Sequence, residues 1–181
     1  IDNNKIKLIV SDIDLKSHNK YFNVMKLYRD YAIITIDDDI IYTNDLIESL
    51  YNSYLKCPNC IHSRLVYKIM IENDKVIPYD KWLKQYTFEL NPSFDLFAKT
   101  GGGTLFPPNI LNISNENICD IKKCISTPDI YLKYLSRQKN IKILWVPNKF
   151  VLGLKQLKDD NIKNIKDINL NDKCLHIFPL I

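Results

Sequence analysis

Glycine is nearly absent from this chain: four among 181 residues, three of them consecutive as Gly101-Gly102-Gly103. A sequence that avoids the residue elsewhere uses it there because the backbone must take positive φ or admit a close neighbour. Long apolar runs are absent too. None reaches the ~18 to 20 residues of a membrane-spanning helix, and the opening Ile1-Asp-Asn-Asn-Lys has no signal-peptide pattern, so the chain reads as cytoplasmic. A strong charge of one sign is lacking: the formal net charge is +4, and its Lys residues are scattered, so a nucleic-acid surface is not indicated. Repeats and low-complexity tracts are missing as well. Five Cys, an odd number, suit reduced thiols better than a disulfide framework. Cys57-Pro-Asn-Cys60 has zinc-knuckle spacing, with Cys119 and Cys124 as a conceivable second pair. The apolar settings of Cys60 and Cys124 favour packed thiols instead.

What is present suits one globular domain spanning residues 1–181, with 46% hydrophobic and 25% charged residues. The first residue is Ile, directly before a strand-like segment, which reads as part of a longer polypeptide. The pattern predicts a strand over Lys5–Val10, a helix over Ser17–Tyr28, a strand over Ala32–Ile36 and a helix from Thr43 to Lys56. It continues with a strand over Ile61–Ile71, a hairpin turn at Glu72–Val76, and a helix or turn at Pro78–Lys84 carrying Trp82, which that segment could expose. Helices over Ser114–Cys124 and Pro128–Arg137 and a strand over Ile141–Val146 complete the periodic region; beyond Lys155 the pattern is weak. Alternating elements of this kind predict an α/β fold, a mixed central sheet flanked by helices with ligands at the strands' carboxyl ends.

Two segments point to chemistry. Asp37-Asp38-Asp39 ends a β-branched run, and three adjacent anions there need a cation or strong donors to offset their repulsion and desolvation. Mg²⁺ or Mn²⁺ does this with carboxylate oxygens, water and substrate phosphates, which implies a phosphorylated ligand such as a nucleotide. The second is the triglycine, flanked by Lys99-Thr100 and by Thr104-Leu-Phe-Pro107-Pro108, and read as a shaped, ligand-facing loop. Asp129, near a helix start, is by itself an ordinary capping residue. A phosphohydrolase reading of the acids lacks a nucleophile loop.

In order, Lys20-Tyr21-Phe22, Ile34-Thr-Ile-Asp37-Asp38-Asp39-Ile-Ile-Tyr42, Cys60-Ile-His62-Ser-Arg64, Tyr79-Asp-Lys-Trp82, Thr100-Gly101-Gly102-Gly103-Thr-Leu-Phe-Pro107-Pro108 and Pro128-Asp129-Ile-Tyr-Leu-Lys resemble bacterial glycosyltransferases of the GT-A fold, of the surface-polysaccharide type. The resemblance covers roughly residues 1–150. It implies a nucleotide-sugar donor, a glycan or lipid-linked acceptor, a D-x-D type motif binding Mn²⁺ or Mg²⁺, and a place in polysaccharide biosynthesis, cytoplasmic or peripheral to the inner membrane. Asp39 would be the chief metal ligand, with Asp37; Asp37 and Asp38 would hold the donor's ribose and assist the metal's water shell; Gly101, Gly102 and Gly103 would approach donor or acceptor sugar. Arg64 would clamp phosphate or a sugar hydroxyl, or pair structurally with an acid. Asp129 would be the general base of an inverting transfer. His176 would be a late metal ligand or a packed side chain, Trp82 would stack on a sugar or fill a groove, and His62 and His18 stay open between the same two kinds of role.

The chain departs from that pattern twice. Pro128 stands where relatives carry the first of two acids, and only one strand and one helix precede Asp37, too little for the nucleotide-base unit. A noncatalytic carbohydrate-binding or assembly domain derived from the fold is therefore the alternative, and the sheet edge left by the missing unit is expected to be covered by a partner chain or added segment.

Overall fold

The computed structural model describes residues 5–147 together with 155–156. Its centre is a mixed four-stranded sheet built from β1 (Ile33–Thr35), β3 (Ile61–Ser63), β8 (Thr104–Phe106) and β9 (Ile143–Trp145). The order is β1-β8-β3-β9; β8 runs antiparallel to both neighbours, and β3 and β9 are parallel. The α/β expectation with a mixed sheet and flanking helices is met at this level.

Side-chain alternation decides what covers each face. Ile34 and its rung partner Leu105 point to one side, under Leu46 and Leu50 of α2 (Leu46–Lys56). Ile33 and its partner Phe106 point to the other. There they meet Phe22 of α1 (Phe22–Leu27), Ile121 of α3 (Ile118–Lys123), and Tyr131 and Leu135 of α4 (Pro128–Gln138). Each such side chain, fully buried, contributes about 1.5–3 kcal/mol. The rung toward the site is polar instead. Thr35 Oγ1 donates to Thr100 O (3.3 Å), and the Ser63 and Thr104 hydroxyls lie 2.8 Å apart.

Around this sheet lie three two-stranded pairs. The segment β2 (Ile40–Ile41) pairs with β10 (Lys155–Gln156), and β4 (Val66–Lys68) with β7 (Leu96–Ala98). The hairpin of β5 (Ile71–Glu72) and β6 (Lys75–Val76) turns at Asn73 and Asp74, both at positive φ, as its Asn-Asp turn signal predicts. Buried Lys133 of α4 ties that helix to the strand beside it, its Nζ donating to Phe94 O (2.5 Å) and Leu96 O (2.8 Å).

Several expected elements differ. Lys5–Val10 forms no strand: the segment finds no ladder partner among the described residues and leaves Leu8 85% exposed. The helix over Ser17–Tyr28 breaks at Tyr21, whose buried hydroxyl bonds His18, into a 3-10 turn (Lys16–Lys20) and α1. The run Ile61–Ile71 divides among β3, β4 and β5 because Arg64 N–H turns to Gly103 O and Ser63 Oγ donates to Leu65 O. Ser114–Cys124 begins as a 3-10 turn, capped reciprocally by Ser114 and Asn117, before α3. Three-residue β7 and β8 carry no periodic signal of their own, and both were absent from the sequence expectation. No helix among the described residues is long and apolar enough to cross a membrane.

Candidate functional site

The strand β1 delivers Asp37 to the carboxyl end of the sheet, where the triglycine turn also lies. Asp37 N–H donates to the Tyr42 hydroxyl (2.7 Å), which donates in turn to Gly101 O (2.6 Å). Tyr42 thus pins the acidic loop to the turn, and burial raises its phenol above the ordinary value against the lowering effect of the Asp37 N–H bond. The carboxylate itself lies against Gly101: a Cβ there would be 2.1 Å from Asp37 Oδ2. Lys20 ion-pairs with Asp37. Asp38 is exposed and Asp39 half-buried on the same loop.

Each glycine answers a different neighbour. A Cβ on Gly102 would meet Leu65 Cβ at 2.2 Å, and Gly103 sits at φ +91° beneath Leu46 of α2. The turn is shaped by backbone bonds from Gly102 N to Lys99 O (2.8 Å) and from Arg64 N to Gly103 O (3.0 Å). Close approach is confirmed for all three, and the groups approaching are protein.

On the other side of the turn stands Asp129, second residue of α4 after Pro128, where the helix dipole favours an anion. Its Oδ1 accepts from Thr100 N (3.1 Å) and Thr100 Oγ1 (2.6 Å), and Lys99 ion-pairs with Oδ2. Asp129 is 13% exposed. Burial alone would raise its pKa, but Lys99 and Thr100 outweigh that and hold it below the usual carboxylate value. For Lys99, burial acts to lower the pKa, and Asp129 reverses this and keeps the ammonium charged. Beside the pair opens a pocket of about 100 Å³ walled by Tyr79, Phe97, Lys99, Thr127, Pro128 and Asp129. One short turn therefore carries a carboxylate on each side, Asp37 at Gly101 and Asp129 at Thr100, and each is balanced by a lysine.

Other candidates lie elsewhere. Arg64 is 4% exposed and its guanidinium pairs with Asp45 (3.3 Å). The Asp45 carboxyl is held below its ordinary value by the Thr43 hydroxyl and, beyond that, by Arg64. Trp82 is 3% exposed between Tyr79 and Phe97 and donates Nε1–H to Ile77 O (2.9 Å), so of its two expected roles it fills core. Buried His62 bonds Ser53 Oγ (2.9 Å) and Cys57 O (3.0 Å), and buried His18 bonds Tyr21 OH (2.6 Å) and Cys124 O (3.0 Å). A carbonyl only accepts, so each ring carries its proton on Nε2 and packs as a neutral group; burial lowers both pKa values. His176 lies outside the described residues.

Lys20, Tyr42, Lys99 and Thr100 are the site residues that sequence reasoning missed. Their signal was adjacency: Lys99-Thr100 directly precedes the triglycine, and Tyr42 follows the acids at the end of β2.

The donor set at 37–39 fits a hard divalent cation, being carboxylate oxygen on a partly open loop. Among the described residues no three metal-ligating side chains converge.

No protein-family model, curated protein or solved structure matches the chain.

Proposed function

We propose that this chain is a metal-assisted glycosyltransferase of GT-A-like architecture, moving a sugar from a nucleotide-diphosphate donor to a glycan or lipid-linked acceptor with inversion. It would work in the cytoplasm or at the inner face of the membrane. The observation that carries the reading is the shared turn: Asp37 packs on Gly101 while Asp129 accepts two bonds from the preceding residue, Thr100. Metal-binding and base candidates 92 residues apart in sequence thereby face one backbone segment.

In this reading Asp39 and Asp37 hold Mn²⁺ or Mg²⁺, and Asp38 holds the ribose. The bound cation supplies Lewis-acid neutralisation of charge on the departing nucleotide. Lys20, paired with Asp37, is a cation placed to meet a donor phosphate. Asp129 accepts the acceptor hydroxyl's proton once Lys99 releases Oδ2, because a carboxylate held below its ordinary value by that ion pair is a weakened base.

That same clamp favours the second reading, a noncatalytic carbohydrate-binding or assembly domain, in which Lys99–Asp129 is a fixed structural pair behind the pocket. A donor screen with and without Mn²⁺, on the native chain and on Asp39→Ala, separates them. Transfer that needs both Mn²⁺ and Asp39 supports the enzyme. Sugar binding indifferent to chelator, with no transfer, supports the binding domain.

A further inference from the structure

The turn joining α2 to β3 carries Cys57 and Cys60, whose Sγ atoms are 2.7 Å apart. Non-bonded heavy atoms rest at about 3.5–4 Å. Two thiolates on one tetrahedral zinc, with Zn–S near 2.3 Å, stand roughly 3.7 Å apart. The observed spacing is shorter than either and lies toward the ~2.05 Å of a covalent S–S bond.

The backbone holds that spacing from both sides. Cys57 N–H donates to Ser53 O and Tyr54 O, ending α2, while Cys57 O accepts from Cys60 N (3.3 Å) and from His62 Nε2 (3.0 Å). Access is unequal: Cys57 is half-buried and Cys60 buried. Burial, and next the neighbouring Cys57, pushes Cys60 up to about 12. A dithiol whose buried member gains nothing as an anion is not held reduced by thiolate stabilisation, and the short S–S approach then favours the disulfide.

We infer that Cys57 and Cys60 form a reversible dithiol–disulfide couple, independent of the proposed transferase chemistry. The oxidant is a small disulfide such as oxidised glutathione. Cys57, losing its proton, attacks one sulfur and expels one glutathione thiolate. Cys60, losing its own, then displaces the second and closes the Cys57–Cys60 bond. The protein loses two electrons and two protons, and two molecules of reduced glutathione form.

The test equilibrates the full chain in glutathione buffers of stepped redox ratio, quenches with an alkylating reagent, and reads intact mass, peptide maps and zinc content. Alkylation should disappear from Cys57 and Cys60 together, with a mass lower by two hydrogens and no zinc. The paired loss should persist in Cys119→Ser and vanish in both Cys57→Ser and Cys60→Ser. Thiols that alkylate at every ratio, glutathione retained at Cys57 alone, pairing with another cysteine, or one zinc per chain protecting both sulfurs would each overturn the inference.

Discussion

The Asp37 carboxylate occupies the space that a side chain on Gly101 would need, so the acidic loop and the triglycine turn fit together only while residue 101 has none. Gly101→Ala should leave the circular dichroism spectrum unchanged and displace Asp37. On the proposed function, Mn²⁺-dependent nucleoside diphosphate binding or transfer should fall by about 10²-fold, since a displacement of ~1 Å at a reacting centre costs that much.

Gly103→Ala should act differently. It strains a backbone at φ +91° and presses on Leu46, so the loss appears in stability, about 1–3 kcal/mol by urea melt.

Asp129 provides a pH test. Its folded-state pKa lies below the ordinary value. The Lys99 pair therefore contributes fully above the unfolded carboxylate's pKa of about 4 and is lost as acid protonates Asp129 below its folded-state pKa. Lys99→Met leaves only the two Thr100 bonds to oppose burial, so the Asp129 titration followed by NMR should move upward, and acid unfolding should start at higher pH. Removing one partner of so buried a pair should cost about 3 kcal/mol near neutrality.

Lys133 has the opposite sign. Burial, then Arg137, lowers its pKa to about 7, while the unfolded chain holds that proton to about 10.4. Between these values the unfolded state binds more protons, so this residue's contribution to stability rises with pH. The stability of the native protein minus that of Lys133→Met should become more positive from pH 6 to pH 9 in denaturant titrations. A difference that becomes less positive would show the amine to be charged in place.

Trp82→Phe should lower stability by about 1–2 kcal/mol through the lost bond to Ile77 O and leave any sugar affinity unchanged. A drop in affinity at constant stability would return Trp82 to the site.

How much of this was legible in the sequence follows from the range of each signal. The helices α2 and α4 were readable because their apolar spacing and starts are local. The hairpin at Asn73-Asp74 was readable for the same reason. Triglycine announced a close approach, yet only coordinates identify Asp37, Leu65 and Leu46 as the neighbours. The buried states of Trp82, His62 and Arg64 depend on partners such as Ile77, Ser53 and Asp45, about which the bare residue types are silent. Lys5–Val10 has a strand's composition without a strand's neighbour, and pattern alone does not distinguish the two.

The strand order has a kinetic consequence. Thr35 meets Thr104 across 69 residues, and Ser63 meets Thr104 across 41. Because β8 joins both β1 and β3, neither can enter the central ladder until that late strand has been synthesised and has closed two large loops. Assembly should accordingly be slow for the domain's size. A nascent chain stalled before residue 104 would hold β1 as an open, sticky template, in need of a chaperone's protection until its antiparallel mate arrives.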